Sequence, residues 1–245
     1  MVNKFNLYDS VTIADTKGKF IFWDIDGTLM DFKKSEHESI KKALSEVGFN
    51  ATEEDIKLYS KINDSCWKKY EKKEYTREEV FAKRFELFFA EYGFKADIKA
   101  LNDNYLIYLG TYYFLYDDTL MVTSKLKENY KQYAVTNGHT KPQTMKLCDS
   151  GLSDIFDGVF ISGSIGHPKP EKEFFDYCFN EIGEEKRKST IIIGDSLTSD
   201  IKGGENAGIL TCWYNPNGEE NTLGVKVDFE IKELKEIFEV LKKVG

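Results

Sequence analysis

The amino-acid sequence predicts an α/β protein with a doubly wound, mostly parallel sheet that is interrupted by an all-helical segment. Three observations predict this fold. A short apolar run at 20–23 stops at two aspartates and a glycine, as a buried strand does at a turn. Residues 32–116, the helical insert, contain no proline, are rich in Lys and Glu, and repeat apolar residues at helical spacing. From residue 117 onward, strand-like and helix-like segments alternate, which indicates parallel strands with helices on both faces.

Length and charge narrow the class of protein. The chain has 245 residues, of which 41% are hydrophobic, enough for one large domain or for a main domain with a smaller insert. A formal net charge of −8 argues against a nucleic-acid polymer or an anionic membrane as partner, because both favour clustered Lys and Arg. The sequence has no apolar run long enough to span a bilayer, and its first nineteen residues lack the apolar core of a signal peptide. We therefore expect a cytoplasmic location.

The four cysteines indicate neither a zinc site nor a disulfide framework, since they are widely spaced and form no C-x-x-C pair. We expect all of them to be buried, reduced thiols. They are Cys66, Cys148, Cys178 and Cys212. Residues 1–18 mix polar and β-branched residues and fit either an edge hairpin or a loose tail.

The first predicted elements are a central strand and the four helices of the helical insert. The strand at 20–23 consists of apolar residues, which suits a parallel strand covered on both faces, and Gly27 supplies the turn after it. Thr52 and Thr76 each precede acidic residues, a pattern typical of helix N-caps, and Gly48 and Gly93 mark helix ends. The four helices are expected near 35–48, 53–73, 76–92 and 97–115.

The remaining elements alternate along the chain and return it to the sheet. We expect strands near 133–138, 158–162, 190–195, 209–214 and 225–229. We expect helices near 118–130, 140–150, 171–182, 198–207 and 231–243. The α/β core then comprises residues 1–31 and 117–245, on either side of the helical insert.

Polar residues suited to phosphate chemistry follow four predicted strands. In open α/β sheets, ligands bind outside the carboxyl ends of the strands. Each motif taken alone also fits an ordinary turn or a surface side chain, but four of them at successive strand ends are far harder to explain in that way. The residues are Asp24 and Asp26, Thr136 and Asn137, Lys169 between two prolines, and Asp195 with Asp200.

The order of these motifs resembles the haloacid dehalogenase superfamily. The motifs are D-x-D-G-T at 24–28, T-N-G at 136–138, P-K-P at 168–170 and G-D-x-x-x-x-D at 194–200. The helical insert has the position of that superfamily's cap, so the resemblance extends from Lys19 to the end of the chain and implies a Rossmann-like core. The run at 194–216 looks like the pyrimidine 5′-nucleotidase group.

The chemistry of the motif residues suits the hydrolysis of a phosphate ester, and the resemblance agrees with it. Asp24 is the expected nucleophile, which would form an aspartyl-phosphate that water then hydrolyses. Asp26 lies on the same side of an extended chain, where it can protonate the leaving oxygen and later deprotonate the attacking water. A Mg²⁺ ion suits the oxygens of Asp24 and Asp195 and the backbone carbonyl of Asp26.

The other motif residues are expected to hold the phosphate. Thr136, the backbone amide of Asn137 and Lys169 would bind its oxygens and offset charge in the transition state. Asp200 would orient Lys169 or bind the metal through water. Within the superfamily, Asp26 favours a phosphatase, since dehalogenases lack this second carboxylate.

We therefore expect a Mg²⁺-dependent phosphatase that acts on a small-molecule phosphate, with a pyrimidine or deoxypyrimidine nucleoside 5′-monophosphate as the favoured substrate. A sugar-phosphate phosphatase, a phosphoglycolate phosphatase or a phosphomutase is compatible with the same core motifs. A phospho-accepting regulator, which is not a hydrolase, is compatible with the same fold.

The aromatic residues between 105 and 116, like Trp67 and Tyr70, fit either the interior of the helical insert or a surface that stacks on a base. None of the three histidines is assigned a catalytic role. His37 and His139 are interpreted as helix-start residues, whereas His167 stands next to the P-K-P motif.

Overall fold

The computed structural model describes residues 19–244, and within them the core is one parallel sheet of six strands. The strands are β1 (Phe20–Trp23), β2 (Lys131–Thr136), β3 (Gly158–Ile161), β4 (Thr190–Gly194), β5 (Leu210–Tyr214) and β6 (Phe229–Ile231). Their order is β3-β2-β1-β4-β5-β6, so the chain runs outward in one direction up to β3 and in the other direction from β4. The strand order therefore reverses between β1 and β4, where the carboxyl ends of an α/β sheet form a crevice. The hairpin or tail expected at 1–18 lies outside the described residues.

Four helices separate β1 from β2 and form the helical insert. They are α1 (Phe32–Glu46), α2 (Glu53–Glu71), α3 (Arg77–Ala90) and α4 (Ile98–Thr111). The helices that follow are α5 (Thr119–Leu126), α6 (Thr140–Asp149), α7 (Ser162–Ile165), α8 (Lys172–Ile182), α9 (Lys202–Ala207) and α10 (Ile237–Lys243). The predicted fold class, a parallel α/β sheet with a helical insert, is confirmed. The boundaries at 31/32 and 116/117 stay a prediction.

Side chains of the central strand pack on both faces of the sheet. Ile21 and Trp23 belong to one hydrophobic cluster, whereas Phe22 belongs to the cluster on the opposite face. Each of these side chains is fully buried, which stabilises the fold by about 1.5–3 kcal/mol per side chain. Trp23 is also paired in register with Ala134 and Ile193 of the neighbouring strands. The apolar composition of this strand thus produces a rigid base for the residues that follow it.

The helix ends of the helical insert follow the predicted capping pattern. Thr52 accepts a hydrogen bond from the backbone of Asp55, and the Asp55 carboxylate accepts one from the backbone of Thr52 at 2.7 Å. Thr76 and Glu79 form the same reciprocal arrangement. Caps of this kind contribute about 1 kcal/mol each. Gly48 has a φ of +82°, a backbone conformation that favours glycine at a helix end.

Three late elements differ from the prediction. The helix expected at 231–243 begins only at Ile237, because residues 229–231 form β6. The strand expected at 225–229 lies instead at β6. The Asp228 carboxylate accepts one hydrogen bond from the Thr211 backbone amide at 3.1 Å and another from the Thr211 hydroxyl at 3.2 Å. A side chain therefore occupies this edge of β5, and the strand begins only after it. The helix expected at 198–207 begins with a π-helical turn, Leu197–Ile201, before α9. Here the Ser196 hydroxyl accepts a hydrogen bond from the Ser199 backbone and caps the turn.

The cysteines follow the prediction with one exception. All four are free, and three of them are buried, but Cys148 is exposed. The exception arises because the neighbouring Leu147, and not Cys148, faces the hydrophobic interior from α6. Within residues 19–244, no helix combines the length and the apolar character that a membrane crossing requires.

Candidate active site

The carboxyl ends of the central strands bring the predicted motif residues together. Asp24 directly follows β1, and its backbone amide donates to the carbonyl of Ile193 in β4 at 2.9 Å, so the pairing of the two strands continues to the motif. Asp195 directly follows β4, and Thr136 is the last residue of β2. Because β1 pairs with both β2 and β4, these three strand ends meet at one edge of the sheet. The predicted carboxylates and hydroxyl therefore face a common cavity.

Lys169 lies at the centre of a buried ionic network. Its ammonium donates at 2.7 Å to Asp24 Oδ1, to Asp200 Oδ1 and to the carbonyl oxygen of Val135, and only 1% of the residue is exposed. Burial alone would lower the pKa of Lys169, but the ion pairs with Asp200 and Asp24 outweigh it, so its pKa lies above the ordinary value. Lys169 is therefore a permanently charged group between two carboxylates.

Asn137 positions this lysine through its side chain. The Asn137 amide nitrogen donates to the backbone carbonyl of Lys169 at 2.8 Å, and the Lys169 backbone amide donates back to Asn137 Oδ1 at 2.9 Å. The two reciprocal bonds join the T-N-G loop to the P-K-P loop. The sequence predicts a role for the backbone amide of Asn137, whereas this clamp by its side chain is visible only in the structure.

Three carboxylates crowd together beside Lys169. Asp24, Asp195 and Asp200 offer oxygens that all lie within 4.8 Å of one another. Burial, and then the charge of Asp200, raises the pKa of Asp24 to about 7, although Lys169 opposes the shift. Burial and the charge of Asp24 likewise raise the pKa of Asp195 well above its usual range. When all three are ionised, the ammonium compensates only one of them, and a hard divalent cation with oxygen ligands fits the remaining charge and this donor set.

The turn after β1 is shaped around the same carboxylates. Gly27 has a φ of +93°, and a Cβ atom at this position would lie 2.4 Å from Asp195 Oδ2. Thr28, which is fully buried, donates from its hydroxyl to Asp24 Oδ2 at 3.2 Å and accepts from the Asp195 backbone at 3.1 Å. Thr28 was not among the predicted site residues, although its place in D-x-D-G-T is the signal that would have found it.

Asp26 lies apart from the three crowded carboxylates. Its carboxylate accepts hydrogen bonds from Gln143 Nε2 at 2.5 Å and from the ammonium of Lys146, which is buried. Both partners lie on α6, one turn apart and on the same face of the helix. Neither residue was predicted to belong to the site, since nothing in their local pattern distinguishes them from an ordinary amphipathic helix. The arrangement leaves the carboxylate of Asp26 in the cavity but outside the group that fits a metal.

The cavity extends from the motif residues into the helical insert and has a volume of about 240 Å³. Thr136, Asn137 and Lys169 line it together with the carboxylates. Its other wall comes from the helical insert and includes Phe32, Asp64, Trp67, Phe81, Arg84 and Leu106. Of the aromatic residues considered for base stacking, Trp67 therefore reaches the cavity, while Tyr105 is fully buried in the interior of the helical insert.

The histidines occupy three different environments. His139 caps the start of α6, as predicted, and it also lines the cavity. His37 lies well inside α1 and bonds to Glu53, so its interpretation as a helix-start residue is wrong. His167 pairs with Glu171 at 2.9 Å.

Comparisons with known proteins agree with this geometry. Residues 19–208 match the family model of haloacid dehalogenase-like hydrolases. The chain is 36% identical over 221 residues to the HAD-hydrolase YfnB of Bacillus subtilis, covering 90% of this chain and 94% of that protein. It is 34% identical over 230 residues to the pyrimidine 5′-nucleotidase PynA of Streptococcus pneumoniae, covering 92% and 95%. It is 29% identical over 227 residues to the pyrimidine 5′-nucleotidase YjjG of Escherichia coli, covering 93% and 99%. A crystal structure of YfnB bound to magnesium superposes with a TM-score of 0.87 at 35% identity, covering 92% of this chain and 99% of that one.

Proposed function

The chain belongs to the haloacid dehalogenase-like hydrolases, and we propose that it is a Mg²⁺-dependent phosphatase that hydrolyses pyrimidine or deoxypyrimidine nucleoside 5′-monophosphates through an aspartyl-phosphate. One observation carries the chemical part of the proposal. Asp24 and Asp26 line one cavity, but they are held in different surroundings, the first among carboxylates and the second by α6. Nucleophilic attack by one group and proton transfer by another require two carboxylates in different environments.

Asp24 has the environment of a nucleophile. Its Oδ1 is bonded to Lys169 and its Oδ2 accepts from the Thr28 hydroxyl, which together fix the plane of the carboxylate. Attack of a carboxylate oxygen on phosphorus forms the Asp24–phosphate bond and breaks the bond from phosphorus to the leaving oxygen. Lys169 and the donors of Thr136 and Asn137 would offset the charge on the equatorial phosphate oxygens.

Asp26 completes the reaction by moving protons. It protonates the oxygen of the leaving nucleoside in the first step and takes a proton from water in the second, when the aspartyl-phosphate is hydrolysed. Gln143 and Lys146 orient its carboxylate from one side. A phosphatase requires this second carboxylate because an alkoxide is a poor leaving group without a proton.

Asp24, Asp195 and Asp200 are the residues whose side chains would hold the metal, because their oxygens are crowded together and Lys169 compensates only one of the three charges when all are ionised. The backbone carbonyl of Asp26 stays a predicted fourth ligand. When bound, Mg²⁺ would neutralise the repulsion between these carboxylates and the substrate phosphate and would polarise the phosphoryl group.

The substrate class is supported by two independent arguments. The relatives PynA and YjjG are named pyrimidine 5′-nucleotidases. The wall contributed by the helical insert includes Trp67 and Phe81, whose rings suit contact with a planar base.

The test is phosphate release from nucleoside 5′-monophosphates, sugar phosphates and phosphoglycolate at equal concentration. We expect UMP, dUMP or dTMP to have the highest kcat/KM, and a sugar phosphate that exceeds them tenfold would reject the substrate class. The Asp24→Asn variant should fold normally and release phosphate near background. Asp103→Asn is the matched control, since this exposed aspartate of α4 pairs only with Lys99 within residues 19–244. Substantial turnover by Asp24→Asn would remove it as the nucleophile.

A further inference from the structure

One arginine of the helical insert is bonded to two loops of the α/β core. Arg77 is the first residue of α3 and is half-buried. Its Nη1 group donates to the backbone carbonyl of Gly138 at 3.3 Å, and its Nη2 group donates to the hydroxyl of Ser162. Gly138 is the last residue of the T-N-G motif, and Ser162 directly follows β3. A single guanidinium therefore joins the helical insert to two neighbouring strand ends of the sheet.

The surroundings of Arg77 hold the guanidinium in one orientation. On the side of the helical insert, its central carbon lies 5.5 Å from the centre of the Tyr70 ring, and Nη2 also donates to the Tyr70 hydroxyl at 3.3 Å. On the core side, a Cβ atom at Gly163 would lie 2.5 Å from Nη1, so the missing side chain leaves room for the guanidinium. Arg77 forms no ion pair with a carboxylate in residues 19–244. Its contacts thus use the planar fork of donors and not the pairing of charges.

Gly138 connects Arg77 with a residue that is expected to hold phosphate. The Gly138 carbonyl accepts from Arg77, and the Gly138 amide donates to Thr136 Oγ1 at 3.0 Å. The buried Thr136 hydroxyl donates to no group within residues 19–244, so its hydrogen is left for a phosphate oxygen. The position of Gly138 therefore affects the direction of the Thr136 hydroxyl, and Arg77 fixes Gly138 from the opposite side.

The bond to the T-N-G loop distinguishes Arg77 from other contacts between the insert and the core. Arg77 does not line the cavity, so it can affect a bound phosphate only through the loop. Lys73, four residues earlier in the chain, pairs with Glu171 of the core at 2.8 Å, and its side chain is 75% exposed. This pair attaches the insert to the core without contacting the T-N-G loop.

We propose that Arg77 is a positioning residue through which the helical insert strengthens phosphate binding by the T-N-G loop. With Arg77 on the Gly138 carbonyl, the Thr136 hydroxyl and the Asn137 amide are held in place before phosphate arrives. By thermodynamic linkage, bound phosphate strengthens the attachment of the insert by the same factor. This inference rests on the proposed phosphatase function and adds to it a connection between the insert and the phosphate site.

The test is calorimetric titration of the full chain with inorganic phosphate in the presence of Mg²⁺. Arg77→Ala should raise the Kd of phosphate about 10-fold or more, as expected for the loss of hydrogen bonds from a charged group. The variant should fold, because the cap of α3 uses Thr76 and Glu79 and not the Arg77 side chain. An unchanged Kd would reject the proposal.

Lys73→Ala is the matched control, since it removes a contact between the insert and the core but none with the T-N-G loop. It should change the Kd of phosphate by less than about 3-fold, because exposed ion pairs contribute little. If Lys73→Ala weakened phosphate binding as much as Arg77→Ala, any loosening of the insert would explain the effect, and the particular role of Arg77 would be rejected.

Arg77→Lys separates the geometry of the contact from its charge. The charge of Arg77 does act on this region, since burial and then Arg77 lower the pKa of His139, which follows Gly138. Lysine keeps the charge but lacks the fork that bonds to the Gly138 carbonyl and the Ser162 hydroxyl together. We expect Arg77→Lys to bind phosphate nearly as weakly as Arg77→Ala. Recovery of the unmodified affinity would show that charge alone suffices, and would reject a positioning role.

A double-mutant cycle tests the contact with Ser162 directly. Ser162 is buried and does not line the cavity, so Ser162→Ala removes an acceptor of Arg77 without removing a group from the site. In the Ser162→Ala background, the effect of Arg77→Ala on the Kd of phosphate should shrink about 2-fold or more. Fully additive effects would mean that the two residues act independently, which contradicts the proposed bridge.

Kinetics with UMP separate this inference from the proposed function. Arg77→Ala should raise KM about 10-fold and change kcat by less than about 3-fold, because the loop holds the phosphate in the ground state and the transition state alike. A fall in kcat with KM unchanged would reject the proposal. If the unmodified protein binds phosphate but does not hydrolyse UMP, the nucleotidase function is rejected and the titrations still decide the role of Arg77. If it binds no phosphate with Mg²⁺, both are rejected.

Discussion

Replacing Lys169 by methionine removes the single cation of the buried carboxylate group with little change in side-chain volume. In the folded protein, Asp24 and Asp200 would each lose a 2.7 Å ion pair, and the Val135 carbonyl would lose its donor. All of these groups are buried, so solvent cannot replace the lost contacts. Removing one partner of a buried ion pair typically lowers the free energy of unfolding by about 3–5 kcal/mol. For a chain of this size that loss corresponds to a fall in Tm of about 6–20 °C.

The loss should depend on pH with a definite sign. The folded-state pKa of Asp24 is raised to about 7, above its unfolded value, so Asp24 binds more protons in the folded protein than in the unfolded chain between about pH 4 and 7. Without metal, the contribution of Asp24 to stability therefore falls as the pH rises through that window. Removing Lys169 raises the pKa of Asp24 further, since Lys169 opposes the shift, and extends the fall to higher pH. The difference between the two proteins should be larger at pH 8 than at pH 5.

The assay is urea denaturation in EDTA at both pH values, with the phosphatase assay run in parallel. Lys172→Met is the matched control, because Lys172 forms an exposed pair with Asp176 at 2.6 Å on one helix, and it should change stability by no more than about 0.5 kcal/mol. A loss below about 1 kcal/mol for Lys169→Met at pH 8, or an equal loss at both pH values, would refute the account of a charge-compensating lysine.

Three further predictions concern the same site. Asp26→Asn should lower kcat for a nucleotide about 10²- to 10⁴-fold. The loss should be much smaller for p-nitrophenyl phosphate, because its leaving group needs no proton. Steady-state kinetics with both substrates measures the two losses. Mg²⁺ at about 100 times its Kd should raise the free energy of unfolding at pH 8 by about 2.7 kcal/mol. The increase should be smaller at pH 5, because Asp24 is protonated there. Thermal denaturation with and without EDTA measures the increase at each pH. Gly27→Ala should abolish most activity and lower Tm, since its Cβ would lie 2.4 Å from Asp195 Oδ2; phosphate release and thermal denaturation measure both effects.

Each of these predictions has its own control. Equal losses for the two substrates in Asp26→Asn would exclude proton donation to the leaving group. If Mg²⁺ raised the free energy of unfolding equally at pH 5 and pH 8, Asp24 would not be a ligand of the ion. For Gly27→Ala the control is Gly48→Ala, since Gly48 also has a positive φ of +82°, but a Cβ added there would meet no atom within 4 Å. Activity in Gly27→Ala as high as in Gly48→Ala would mean that the close approach to Asp195 is unimportant.

Much of the fold follows from local patterns in the sequence. The apolar run of β1, the alternation of strands and helices, and the capping boxes at Thr52 and Thr76 depend on residues that are near one another in the chain. The motif residues Asp24, Thr136 and Asp195 could be placed at strand ends for the same reason. Parallel pairing of the strands then brings them to one edge of the sheet without further information.

The partners of these residues could not be predicted in this way. Lys146 is bonded to Asp26 across 120 positions of sequence, and Asn137 clamps Lys169 across 32. Such contacts depend on how α6 and the P-K-P loop pack against the sheet. Asp228 likewise displaces the last predicted strand by bonding to Thr211, which a pattern of alternating residues does not reveal.

The sequence by itself determined the α/β class, the helical insert and the types of residue available for phosphate chemistry, because periodicity and strand-end motifs are local properties of the chain. Only the tertiary structure decided that Lys169 is buried and bonds to both Asp24 and Asp200, and that Asp26 is held apart from them by α6. It also decided that Arg77 of the helical insert bonds to Gly138 and Ser162 of the core. These features depend on the packing of distant segments, where burial and neighbouring charges, and not residue type, determine what each group can do.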